Sequence, residues 1–345
     1  SSTTNTPFFL SASTTMRRKY SPPHHPQPGL FDGLDDFNER LDRGFEIIPP
    51  ERMADIARSH AQKPEIDELP PLQASDRVFF MSFGSGSSGN CAYIGDRNSG
   101  FLVDAGIDAK KVTSTLQANG ITMDRIQGII LTHDHHDHIS QAYAILRANR
   151  HIRLYCTPRT FNGILRRHNV SRRIKDYHQP IYKEFTFKLG NFEITPFEVL
   201  HDGADNAGFF ITHTSGHTMA VATDLGCISP RVDFYMRQAD SIVIEANYDP
   251  HMLATGSYPE YLKARIAADN GHLDNNVTAA FISEIISPRL RNLYLCHLSH
   301  DNNLPQIALH TIEEAISQRD DALILLQGLR LVALPRYAAT PLYTL

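Results

Sequence analysis

The sequence predicts an α+β chain built as an αββα sandwich, two mixed β-sheets packed face to face with helices on their outer surfaces. Three observations predict it. From Arg77 onward, runs of β-branched and aromatic residues recur in two groups, each with helical stretches around it. Several runs end directly on histidine or aspartate, and layered αβ folds gather their active sites at strand ends. Apolar residues make up 41% of the 345 residues against 21% charged, enough for a packed core. No repeat at a fixed period argues for a solenoid.

The elements follow in order. Residues 1–75 carry Ser/Thr, then SPPHHPQPG, an Asp/Glu/Arg mixture and DELPPL, with no long apolar face. They read as an irregular or disordered extension, with a short helix over 51–60, ahead of a catalytic domain at 76–345. RVFFMSF is a strand, the loop GSGSSGN follows, and CAYIGD and GFLVDAG are the next strands. Residues 108–119 suit a helix with Val112, Leu116 and Asn119 on one side. IQGIILT is a buried strand, 139–149 a helix, IRLYCT a strand and 159–175 a basic helix. EFTFKLG, FEITPFEV, AGFFITHT, TMAVATD, SIVIEAN and NLYLCHL read as strands, with helices over 258–269, 275–286 and 304–318.

Composition bounds the function. Net charge is −5, so any binding of nucleic acid rests on a local patch. The four cysteines form no C-x-x-C pair and sit among apolar neighbours, as buried free thiols of a reducing compartment do. No apolar run reaches membrane-spanning length, and the first residues lack the pattern of a signal peptide. A cytoplasmic protein without membrane contact is expected.

The 18 histidines cluster. In ILTHDHHDHIS a strand runs into His133, His135, Asp137 and His138. Imidazole nitrogen and carboxylate oxygen are ligands for divalent zinc, manganese or iron. On a tight loop this spacing directs His133 and His135 to one metal, Asp137 and His138 to another. Asp104, His201, Asp224 and His297 each follow another predicted strand. Taken singly, each is also a common helix cap or surface residue; as a set at strand ends they converge on the His133 loop.

THDHHDH resembles the signature of the metallo-β-lactamase superfamily. FGSGSSGN, LVDAGI, LTHDHHDHI, EANYDPHML, GHLDN and HLSHDNN resemble the YycJ/WalJ group within it, over about residues 78–303. The ending RYAATPLYTL is similar too. The resemblance implies a dinuclear metal-dependent hydrolase of exonuclease type. His133, His135 and His201 would hold one metal, and Asp137, His138 and His297 the other. Asp224 would bridge them, and Asp104 would orient a ligand imidazole. His272, and after it His300, are the alternatives for the last ligand.

Two metals about 4 Å apart acidify a bridging water to hydroxide and stabilise charge on the atom attacked, with Asp137 in the catalytic set. Similar Glu and His residues in the superfamily's tRNA-processing nucleases imply that Glu245 orients His272 as general acid. Glu245 is otherwise a strand-end residue bound to a backbone amide, and His272 a helix cap or a ligand. Ser87, Ser88 and Asn90 could offer a phosphate contact, or merely form a turn. RRHNVSRRIK, with Arg166, Arg167, Arg172 and Arg173, suits a phosphate backbone or a solvated helix face. Tyr177 and His178 could stack on bases. The expected substrate is nucleic acid, DNA ahead of RNA. The alternatives are a small-molecule hydrolase of the same fold, for a cyclic phosphodiester, thioester or lactone, and an inactive binding protein.

Overall fold

The computed structural model describes residues 77–345. The extension expected over 1–75, with its helix at 51–60, lies outside the described residues. The first sheet holds β1 (Phe79–Gly84), β2 (Cys91–Gly95), β3 (Gly100–Val103), β4 (Ile126–Ile130), β5 (Arg153–Cys156), β6 (His178–Pro180) and the tail strand β14 (Tyr343–Thr344). The second holds β7 (Phe187–Leu189), β8 (Phe192–Glu198), β9 (Ala207–His213), β10 (Thr218–Ala222), β11 (Ser241–Glu245), β12 (Asn292–Cys296) and β13 (Arg330–Ala333). The orders are β14-β1-β2-β3-β4-β5-β6 and β13-β12-β11-β10-β9-β8-β7.

Period-2 alternation sorts side chains into layers. On β10, Met219 and Val221 face the core between the sheets, while Ala220 and Ala222 face the outer helices. On β2, Ile94 joins the inter-sheet core, and Cys91 and Tyr93 pack under the first sheet's helices. Phe101, Ile130, Phe192, Phe209 and Tyr294 fill the middle. Together with the helices outside, these layers make the expected αββα sandwich. The tail closes the first sheet, Phe80 pairing with Tyr343 and the Ser82 amide donating to the Thr340 hydroxyl at 3.0 Å.

Five of the ten α-helices among the described residues start on a side-chain cap. Asp108 accepts from Lys110 N and Lys111 N, and Thr157, Ser229 and Asp249 each precede a first-turn proline. Two expected helices are broken. The one expected over 139–149 is a turn His136–Ile139 followed by Ala142–Ala148, because the Gln141 amide donates to Ala105 O at 2.8 Å, outside the helix. The one expected over 159–175 ends at Arg167. There the extended His168 reaches Asp134 O, Val170 packs on the core, and a 3-10 turn covers Arg172–Tyr177. Helices Pro230–Met236, Pro250–Thr255 and Ala322–Gly328, and strands β6, β13 and β14, were not expected. Among the described residues no helix is long and apolar enough to cross a membrane.

Candidate metal centre

Strand ends build the site. β3 leads to Asp104, β4 to Thr132 and His133, β8 to His201, β10 to Asp224, and β12 to His297; β11 ends on Glu245. Asp104, Asp224 and His297 take left-handed backbone, φ 59°, 43° and 55°. Non-glycine residues accept that conformation at a cost, which marks positions that the surroundings over-determine.

Donor atoms of His133, His135 and His201 lie within 4.8 Å of one another, and so do those of Asp137, His138 and His297. Asp224 sits between, with carboxylate oxygens 3.2 Å from His138 Nε2, 3.5 Å from His297 Nε2 and 3.7 Å from His201 Nε2.

Every imidazole has one nitrogen engaged by the protein. His138 Nδ1 donates to Asp104 at 2.7 Å. His133 Nδ1 lies 2.9 Å from the Thr132 hydroxyl, which in turn donates to Asp104. His201 Nδ1 donates to Gly271 O at 2.9 Å, and His297 Nδ1 to Glu245 at 3.0 Å. His135 reverses the pattern, with Nε2 3.2 Å from Asp202 and Nδ1 3.3 Å from His201 Nε2.

The nitrogens left over face one another. His133 Nε2, His297 Nε2 and Asp224 Oδ2 are buried without a hydrogen bond. Orphaned polar atoms so deep are costly. Lone pairs converging in two groups around a shared carboxylate, each ring held from behind, fit divalent cations.

The electrostatics agree. Burial opposes charge on His138, yet Asp224, Asp104 and Asp137 outweigh it and hold its pKa well above the ordinary value. His297 is likewise raised, to about 10, by Asp224, Asp137 and Glu245 against burial. Burial, with positive charge on His138 beside it, drives His133 well below its usual range. Burial would raise Asp137 and Asp224, but the surrounding histidines depress both strongly. Such a pocket takes a cation in exchange for protons.

Glu245 is completely buried and serves two histidines at once. It accepts from His272 Nδ1 at 2.7 Å and His297 Nδ1 at 3.0 Å, and from the Leu225, Leu273 and Asn247 nitrogens. The amide contacts expected of a strand-end residue and the carboxylate–imidazole pair are both present. Burial lowers the His272 pKa, but the Glu245 charge and hydrogen bond leave it raised. His272 also falls in a group with Asp224, Glu245 and His297. His300 is outside all these groups and bonds Asp301 at 2.9 Å.

The GSGSSGN loop is tied down rather than free. Asn90 is buried, bonds Gly86 on both sides and donates to Asp137 Oδ2 at 3.1 Å, 3.0 Å from His138 Nε2. Its amide thus reaches Asp137 and the His138 nitrogen opposite the one that Asp104 holds. Ser85 accepts from the His297 amide and Ser87 from Arg336; Ser88 is exposed.

The basic segment abuts the site. Arg167 Nη1 is 3.2 Å from the buried Asp134, and the His168 ring stacks on His136. Arg166, Arg172 and Arg173 are exposed. The stacking expected of His178 is taken by Phe161, 3.8 Å away, and Tyr177 packs on the core.

Sequence reasoning missed Thr132, Asp134, Asp202, Asn247 and the Gly271 carbonyl. Thr132, Asp134 and Asp202 had a signal, each standing next to a candidate ligand.

Residues 100–297 match the model of the beta-lactamase superfamily domain. Exodeoxyribonuclease YycJ of Bacillus anthracis is 30% identical over 248 residues, 70% of this chain and 90% of the relative. Exodeoxyribonuclease WalJ of Streptococcus pneumoniae serotype 2 is 32% identical over 241 residues, 70% of this chain and 89% of the relative. The crystal structure of Zn(2+)-bound PqqB from Methylobacterium extorquens is similar in fold, with a TM-score of 0.53 over 76% of this chain and 99% of that one, at 16% identity.

Proposed function

Because the chain belongs to the beta-lactamase superfamily, as a metal-dependent hydrolase related to the YycJ and WalJ exonucleases, we propose that it is a dinuclear exodeoxyribonuclease. The observation that carries the reading is the pair of ligand groups about Asp224, with basic residues at their rim. In this reading His133, His135 and His201 hold one cation, Asp137, His138 and His297 the other, and Asp224 is shared. Nitrogen and oxygen donors without thiolate suit zinc or manganese. Such cations supply Lewis acidity and acidify water at neutral pH.

The chain's own residues do the rest. Asp104 sets the His138 ring and, through Thr132, the His133 ring. Glu245 sets His297 and holds a proton on His272 Nδ1, so that His272 donates from Nε2 to the leaving oxygen. Arg166, Arg172 and Arg173 meet phosphates along the strand, Arg167 braces the His133 loop through Asp134, and Ser88 faces substrate. The free thiols Cys91, Cys156, Cys227 and Cys296 suit a cytoplasmic enzyme.

The test is a nuclease assay with metal content measured, on duplex DNA, single strands and RNA, with Asp137→Ala/His138→Ala as control. DNA degraded by the wild type alone is the expected result. Two metals bound with no polymer cut, but a cyclic phosphodiester or thioester hydrolysed, would replace the reading with a small-molecule hydrolase.

A further inference from the structure

At the end of the first sheet remote from the metal centre lies a cavity of about 390 Å³. β3 and β4 begin beside it and deliver Asp104 and the His133 loop at their far ends, so a strand length of about 13 Å or more separates the two sites. Arg77, Arg97 and Arg125 line it, with Phe79, Ile121 and Leu342 as its apolar side.

Three features define its chemistry. Among the described residues, none of these three guanidinium groups forms a hydrogen bond or ion pair. Asp124 senses Arg125 electrostatically without pairing with it. Tyr93 also lines the cavity, is completely buried, and its hydroxyl has no hydrogen-bond partner. Its ring lies where Gly95 and Gly100 leave room, since a Cβ at either would come within 2.1 or 2.4 Å. The cavity's carboxylate, Asp96, is already occupied by Asn98 N, Ser99 N, Asn191 Nδ2 and His213 Nε2.

We propose that this cavity binds a phosphorylated small molecule of nucleotide size. Its volume falls in the range of ligand pockets, roughly 300–1,000 Å³. Guanidinium forks match phosphate oxygens, the Tyr93 hydroxyl supplies a neutral donor, and the half-buried Phe79 offers a face to a base. Arg77 and Arg97 are exposed and Arg125 is half-buried, and with no carboxylate paired to them among the described residues the three guanidinium groups are open to an anion from solution.

Titration calorimetry of the whole chain with dADP and with pyrophosphate tests this. It is run in the Asp137→Ala/His138→Ala background, so that the metal centre does not contribute. The expected result is saturable binding of dADP with Kd below about 1 mM, weakened roughly tenfold or more by Arg97→Glu/Arg125→Glu. Tyr93→Phe weakens it by a smaller factor. Arg97 lies in a turn and Arg125 closes the 3-10 turn Met123–Arg125, and a thermal melt checks that the variant is folded. Pyrophosphate binding as tightly as dADP places the recognition in the phosphates alone; weaker binding assigns part of it to the base. Absence of saturable binding, or affinity unchanged by charge reversal in a folded protein, overturns the proposal.

Discussion

The two sheets share one pairing plan and use it differently. Each runs through three antiparallel pairs and then three parallel ones, the change falling at β3 in the first and at β10 in the second. Both switch strands end on an aspartate with left-handed backbone, Asp104 and Asp224, and both reach His138 from opposite sides of its ring. Yet Asp104 spends its oxygens on His138 and on the Thr132 amide and hydroxyl, while Asp224 keeps Oδ2 without a hydrogen bond. Equivalent places in two halves thus hold a support and a candidate ligand. What separates them is how many donors the protein itself sends to each carboxylate.

Replacing one aspartate at a time breaks that comparison most sharply. Asp104→Asn should cost roughly 10- to 100-fold in metal affinity or activity, the usual effect of disturbing a ligand's support. Asp224→Asn should exceed that range and lower the bound metal per chain, measured by elemental analysis. Equal losses for the two would sink the distinction.

Glu245, at the end of a strand of the second sheet, also holds the proposed proton donor, His272. His272→Ala should lower kcat by about 10²- to 10⁴-fold with metal content kept, whereas Glu245→Gln should lose metal as well, because it holds His297. Metal loss in His272→Ala would make that residue a ligand.

The first sheet's basic rim should govern substrate affinity. Charge reversal at Arg166, Arg172 and Arg173 should raise KM for DNA about tenfold and flatten its salt dependence, by roughly 0.7–0.9 in logarithmic slope for each phosphate no longer neutralised. An unchanged slope would remove these residues from the DNA path.

A smaller effect joins the sheets far from the metals, where Asp96 of the first bonds Asn191 and His213 of the second. Burial would raise the Asp96 pKa, but the Ser99 and Asn98 amides, Asn191 and His213 outweigh it and hold it below its ordinary value. Its contribution is therefore full above the unfolded carboxylate pKa, about 3.9, and lost as pH falls through the lower folded value. Asp96→Asn should cost about 1–3 kcal/mol at pH 7, and denaturant melts should show the gap closing toward pH 3. A gap independent of pH would assign the effect to shape. Smallest of all, native alkylation should reach only Cys227, since Cys91, Cys156 and Cys296 are buried and Cys227 is half-buried.

Strands were legible because β-branched and aromatic runs such as SIVIE and NLYLC state their own preference. Helix ends were less so. The break before Ala142 depends on Ala105 O, a partner more than thirty residues away in sequence. The candidate ligands stood out because histidines in H-x-H-x-D-H are rare and closely spaced, and of their supports Asp104 and Glu245 were named through the resemblance, whereas the others were not. Thr132 and Gly271 are ordinary residues whose role comes from what folding sets beside them.

By itself the sequence determined the α+β class, most of the strands and the chemical kind of the centre. These depend on side-chain type and short-range spacing, which the chain carries at every position. Tertiary structure alone decided that Nε2 of His133 and of His297 is left without a hydrogen bond, that Glu245 serves His297 as well as His272, and that the Asn90 amide reaches Asp137 and His138. It also gathered Arg77, Arg97 and Arg125 around Tyr93. Those outcomes depend on hydrogen bonds and contacts between segments distant in sequence, and such partners exist only once the chain has folded.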